Sequence, residues 1–116
     1  MKSMLIKSAL HLGLTATVLA AFTGAWAADP EAGRAKANTC LGCHGVADSV
    51  NVYPTYHVPK IGGQHEQYII AALKAYKDKT RSHSTMHANA ASLSDEDIAD
   101  IAAYLASVDE LSLIHI

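Results

Sequence analysis

Two thiols and an imidazole fall within five residues, in Cys40-Leu41-Gly42-Cys43-His44. On a helix this spacing sets the two sulfurs one turn apart on one side, with a nitrogen donor in the next position. Such a C-x-x-C-H run is the attachment sequence for c-type haem. Each thiol can add to one vinyl group of a single porphyrin, and the adjacent imidazole of His44 then lies under the iron.

Other uses of the same residues compete. A disulfide-exchanging pair also takes the form C-x-x-C, but it follows a strand in a βαβ setting, and no such pattern surrounds Cys40. Zinc takes four ligands, so the histidines scattered at 57, 65, 83 and 87 would have to complete a site without any paired spacing. A structural disulfide between Cys40 and Cys43 would close so short a loop that it restrains the unfolded chain very little. A chance occurrence is the last alternative. The placement of the motif directly after a predicted helix, in a chain with the marks of export, favours haem.

Iron gripped on one side by an imidazole needs a second axial ligand. The expected mature chain has a single methionine, Met86, in Ser84-Thr85-Met86-His87-Ala88. A lone methionine is ordinarily core filler. Here it falls in a Ser-, His- and Asn-rich segment read as a loop between two helices, where a filler has little to fill, so ligation is the expectation. A neutral thioether favours ferrous iron and raises the reduction potential relative to harder ligands. His83 and His87 flank Met86 and keep a bis-imidazole site open as the alternative, while His57 and His65 read as surface residues.

The elements that must position these groups are short helices. Asp29-Pro30-Glu31 reads as a helix start, with Asp29 as N-cap and Pro30 at the first helical position, and this helix should run to about Thr39 and deliver the chain into Cys40. Residues 45–63 contain two of the three prolines and no sustained period, which predicts a loop that walls a site. From Gln64 to Lys79, residues Tyr68, Ile69, Ala72, Leu73 and Tyr76 form one helical stripe. The last helix is the best specified, because Ser94 and Asp97 resemble a capping box, Leu93 and Ile98 a hydrophobic staple, and Ile98, Ile101, Ala102 and Leu105 one face. No strand pattern or internal repeat is visible, so the predicted class is all-α.

Composition frames the rest. Lys2 and Lys7, a mostly apolar run from Ala9 to Ala21 and the small-x-small triplet Ala25-Trp26-Ala27 read as a signal peptide over residues 1–27, cleaved after Ala27. The apolar run is short for a retained membrane span of about 20 residues. Cleavage would place the protein in the periplasm and move the formal charge from −2 to −4, since two lysines and no acid are lost. That balance argues against nucleic acid, which selects basic faces. The signal also takes the only Trp and Phe, leaving five tyrosines and, between residues 29 and 108, fifteen Leu, Ile, Val and Met residues. So small an apolar core gains from a bound prosthetic group. Residues 28–108 are the expected domain. The tail 109–116 is atypical and reads as a cloning or sequencing scar or the stub of a longer chain.

Taken together, residues 31–37 (EAGRAKA), 40–45 (CLGCHG), 59–64 (PKIGGQ), the helix through Tyr76, Met86 and residues 93–100 (LSDEDIAD) resemble the class I c-type cytochromes, nearest the bacterial cytochrome c-553 and cytochrome c4 group. The resemblance implies three to five helices wrapped around one covalent haem c held by Cys40 and Cys43, with His44 and Met86 as axial ligands. It also implies that the Pro59 carbonyl bonds the other ring nitrogen of His44, that Ile61 packs on the haem, and that the first and last helices cross at Gly33 and Tyr104, with Ala37 keeping the next turn slim. The function it implies is a monomeric, non-enzymatic electron carrier that meets redox proteins transiently, among them a membrane-bound oxidase or reductase. The alternatives are a haem-bearing piece of a larger diheme cytochrome or oxidoreductase and, less favoured, a haem peroxidase or gas sensor.

Overall fold

The structure, a computed structural model, describes residues 27–46 and 48–108. The expected signal segment, save its last residue, and the atypical tail lie outside the described residues. The described chain runs through helices α1 (Pro30–Lys36) and α2 (Asn38–His44), a two-residue ladder of β1 (Val50–Asn51) and β2 (Tyr56–His57), and helices α3 (Glu66–Lys77), α4 (Ser84–Ala90) and α5 (Asp95–Ser107). None of the described helices is long and apolar enough to cross a membrane.

Helix α1 begins as its sequence requires: the Asp29 carboxylate accepts the Glu31 N–H at 2.9 Å and the Ala32 N–H at 3.3 Å. It does not continue unbroken to Thr39. The chain bends at Ala37, where ψ is −2°, although Ala37 N–H still donates to the Gly33 carbonyl and Leu41 N–H to the Ala37 carbonyl. The C-x-x-C-H run therefore lies within a second helix and not just after the first. Ala37 is fully buried, so the bend sits against the core.

Helices α1 and α5 form the most extensive interface between elements. The crossing depends on Gly33, since a Cβ there would lie 1.9 Å from the Asp100 carbonyl oxygen and 3.0 Å from Tyr104 Cβ. An ionic cluster closes the same interface. Lys36 Nζ reaches Asp97 Oδ1 at 2.8 Å and Asp100 Oδ2 at 2.7 Å, and the nearly buried Asp100 also accepts the Asp29 N–H at 2.8 Å. The Lys36 ammonium holds both carboxyls below the usual range, helped at Asp97 by Ser94 and at Asp100 by the Asp29 N–H. In turn Asp100, and after it Asp97, hold Lys36 above its ordinary value.

The core centres on α5, with Ile98, Ile101 and Leu105 as its largest fully buried side chains, joined by Ile69 and Leu73 of α3. The capping box at the start of α5 is complete: Ser94 Oγ accepts the Asp97 N–H at 3.0 Å and Asp97 Oδ2 accepts the Ser94 N–H at 2.9 Å. Leu93 packs against the cluster that contains Ile98, as a staple does. On α3 the stripe is narrower than its sequence suggests. Tyr68, one residue and thus about 100° around from Ile69, is 52% exposed, and its hydroxyl accepts Arg81 Nη1 at 3.4 Å. Residues 45–63 are not wholly irregular. Val50 pairs with His57 and Asn51 with Tyr56 in an antiparallel ladder, a strand pair that the sequence reading missed because two rungs are too few to show alternation.

Candidate functional site

Cys40, Cys43 and His44 all stand on α2, and none of the residues of α2 is buried by the rest of the protein. Both cysteines are free thiols, Cys40 half-buried and Cys43 exposed. Burial pushes the Cys40 thiol up, against smaller opposing effects of hydrogen bonds from the Thr39 side chain and its own backbone. A thiol displaced in that direction stays protonated near neutrality, unlike the depressed thiolate of a disulfide-exchanging pair. Among the described residues no three of His, Cys, Asp or Glu converge as a metal would require, so the zinc reading has no ligand set.

His44 ends α2 and turns its ring to the following loop, where Nδ1 lies 2.6 Å from the Pro59 carbonyl oxygen. A carbonyl can only accept, so Nδ1 carries the proton and Nε2 presents its lone pair outward. That is the tautomer an iron ligand needs, with its orientation and basicity fixed by a neighbour. The loop is itself pinned. Gly63, at φ +73° in the left-handed region, donates its N–H to the Leu105 carbonyl at 2.9 Å, which ties the segment after Pro59 to α5.

Met86 lies in α4 and not in a loop between helices. The misreading has a physical source: the N-cap is His83, a residue type seldom found there, so the residue that starts the helix did not announce it. His83 Nδ1 accepts the Met86 N–H at 3.2 Å. One turn on, His87 Nδ1 lies 2.9 Å from the Tyr76 carbonyl and so fastens α4 to α3. Met86 is half-buried and packs against the core, as do Leu41 of α2 and Ile61 of the Pro59 loop. The structure therefore joins His44 to Pro59 directly, and places Met86, Ile61 and the middle of the C-x-x-C-H helix around one apolar cluster. It leaves His57 and His65 exposed, the former on β2 and the latter before α3.

These features fit a flat apolar macrocycle with a central metal: two free thiols on one helix, an imidazole with a presented lone pair, a half-buried thioether, and aliphatic side chains at the edge of the core. The capping role of His83 went unread in the sequence, and its spacing of three before Met86 was the available sign.

Comparison with known proteins agrees. The family model described as cytochrome c matches residues 31–109. Cytochrome c4 of Pseudomonas aeruginosa is 41% identical over 107 residues, covering 92% of this chain and 49% of the relative. Cytochrome c-554(548) of Halomonas halodenitrificans is 44% identical over 84 residues, covering 70% of this chain and 98% of the relative. A thiosulfate dehydrogenase electron acceptor of Thiomonas intermedia is 32% identical over 79 residues, covering 68% of this chain and 34% of the relative. The chain thus spans about half the length of the cytochrome c4 relative and nearly all of cytochrome c-554(548).

Proposed function

Because the chain belongs to the cytochrome c family, whose cofactor is covalently attached haem c, we propose that it is an exported, monohaem electron carrier of the periplasm with His44 and Met86 as axial ligands. The observation that carries this reading is the 2.6 Å bond from His44 Nδ1 to the Pro59 carbonyl, made by the histidine of a C-x-x-C-H helix. Bound haem supplies a one-electron Fe(III)/Fe(II) couple. The residues of the chain do the rest. Cys40 and Cys43 would attach the group through thioethers, His44 would offer Nε2 in the orientation that the Pro59 carbonyl fixes, and Met86 would offer a neutral sulfur from α4.

With both His44 and Met86 holding the group, no site would remain for oxygen or peroxide, which favours electron transfer over a peroxidase or gas sensor. The half-buried apolar side chains Leu41 and Ile61, packed at the edge of the core, would help to exclude water from the bound group. Partners are redox proteins met transiently through a small interface, with a membrane-bound oxidase or reductase among them. A net negative charge steers such encounters toward a basic patch.

A second reading is favoured by one observation, the coverage of only 49% of the cytochrome c4 relative: the chain would then be one haem-bearing half of a larger protein. The test is made on the exported protein. A pyridine haemochrome assay is expected to give one haem per chain, and the ferric spectrum to show the far-red sulfur-to-iron band without carbon monoxide binding to the reduced form. Colourless, correctly matured protein would end the proposal. A high-spin ferric spectrum would move it to the enzyme class, and a native gene product with two haems would establish the second reading.

A further inference from the structure

The reading of Met86 as an iron ligand, on which this inference rests, leaves open what fixes that side chain in place. Met86 is the third residue of α4, and its N–H is one of the donors that a helix start leaves without an intrahelical partner. His83 supplies the acceptor through Nδ1. Histidine is not among the residues that cap well by nature, so its ring must be set by something else. Tyr56 meets it edge-on with centroids 5.0 Å apart, and Tyr76 at 6.1 Å. Tyr76 is itself covered by the Arg81 guanidinium, 4.7 Å above its ring.

These contacts reach both sides of the site. Tyr56 belongs to β2, three residues ahead of Pro59, whose carbonyl holds His44. Tyr76 belongs to α3, and its carbonyl meets His87. One imidazole therefore touches the segment leading to the His44 partner, the helix beneath α4 and the backbone of Met86. We propose that His83 is a positioning residue for the Met86 thioether: by capping α4 it keeps the turn that bears Met86 closed and presents the sulfur in one orientation. The helix as a whole has independent support, from the His87 bond to Tyr76 and from buried Ala90. Loss of His83 therefore frays the first turn without unseating α4.

The test uses the exported holoprotein and three variants, His83→Ala, His83→Asn and Met86→Ala. Cyanide is titrated into the ferric form while the far-red band and the melting temperature are followed. An external ligand binds only the fraction of iron from which Met86 has detached, so its apparent dissociation constant falls as that fraction rises. Loss of a cap shifts such a local equilibrium about fivefold, so His83→Ala should bind cyanide about fivefold more tightly and lose part of the far-red band. Asparagine is among the best caps, and His83→Asn should return to within about twofold of the parent. A parental cyanide affinity in His83→Ala, or a His83→Asn variant indistinguishable from His83→Ala, overturns the proposal. Met86→Ala separates the two levels of inference. If it keeps the far-red band and the parental affinity, the ligand reading fails first; if it opens the iron while His83→Ala changes nothing, only the positioning role falls.

Discussion

Substituting Gly33→Ala puts one methyl group where the two principal helices touch. The added Cβ would stand 1.9 Å from the Asp100 carbonyl oxygen, and relieving it to the 3.0 Å that real Cβ contacts observe means parting α1 from α5 by about 1.1 Å. The obstructing atom is backbone and cannot swing aside. Separation on that scale would also stretch the Lys36 pairs at 2.7 and 2.8 Å and the Asp29 bond to Asp100 at 2.8 Å. Overpacking a tight contact costs about 1–3 kcal/mol, and the rigidity of this one points to about 3. Alanine in place of glycine inside a helix offsets about 1 kcal/mol of that. A net loss of about 2 kcal/mol in a domain of this size lowers the melting temperature by about 8–16 °C. Circular dichroism at 222 nm on matched holoproteins measures it, with exposed Ala35→Gly as the control for helix propensity alone. Because α1 passes through a single bend into α2, the variant should also perturb the visible spectrum. A Gly33→Ala protein that melts at or above the parental temperature would refute the crossing as described.

Met86→Ala should lower the reduction potential and open the iron to external ligands, read by redox titration and by cyanide binding; an unchanged potential would assign the ligand to His83 or His87 instead. Removing the Ser94 hydroxyl in Ser94→Ala should cost about 1 kcal/mol, or about 4–8 °C in melting temperature, because the Asp97 N–H loses its acceptor. The ionic cluster sets a pH window. The lowered carboxyls of Asp97 and Asp100 contribute stability that is present above about pH 3.9 and fades as pH falls through that value toward their folded ones, while the raised Lys36 contributes below about pH 10.4 and fades above it. Lys36→Met should therefore shift the acid limb of the melting curve to higher pH, and an unmoved limb would show that these carboxyls do not titrate with folding.

How much of this was legible in the sequence follows from where each signal resides. The start of α5 was legible in Ser94 and Asp97 because a capping box is a local exchange in which each side chain accepts the backbone N–H of the other, three positions away. The α1 start was legible for the same reason, in Asp29 and Pro30. The bend at Ala37 was not, because alanine is itself the best helix former and the poorer formers Asn38 and Thr39 lie beyond it, inside α2. Helix α4 was hidden because its cap is a histidine whose rotamer depends on Tyr56 and Tyr76, residues 27 and seven positions away in the chain. The strand pair at Val50 and His57 escaped because two rungs carry no period. Of the site, Cys40, Cys43 and His44 could be read from spacing, since their chemistry is dictated along the chain. The Pro59 contact came only from resemblance, because a backbone carbonyl has no residue type to announce it.

That difference bears on how the segments carrying the two proposed ligands are built. His44 is oriented by a backbone carbonyl, in a loop that the Gly63 N–H fastens to α5, and no single side-chain substitution in the chain removes that acceptor. Met86 is oriented by side chains, through the His83 cap and the His87 bond to Tyr76. Its helix has seven residues, of which only Ala90 is buried, so little apolar area resists its fraying. The imidazole side is thus rigid by backbone construction, and the thioether side is adjustable by mutation. With Met86 as the ligand proposed above, the consequence for an electron carrier would be physical: the ligand whose bond to iron favours the reduced state would be the one whose strength the surrounding sequence can vary, through residues that never touch the metal.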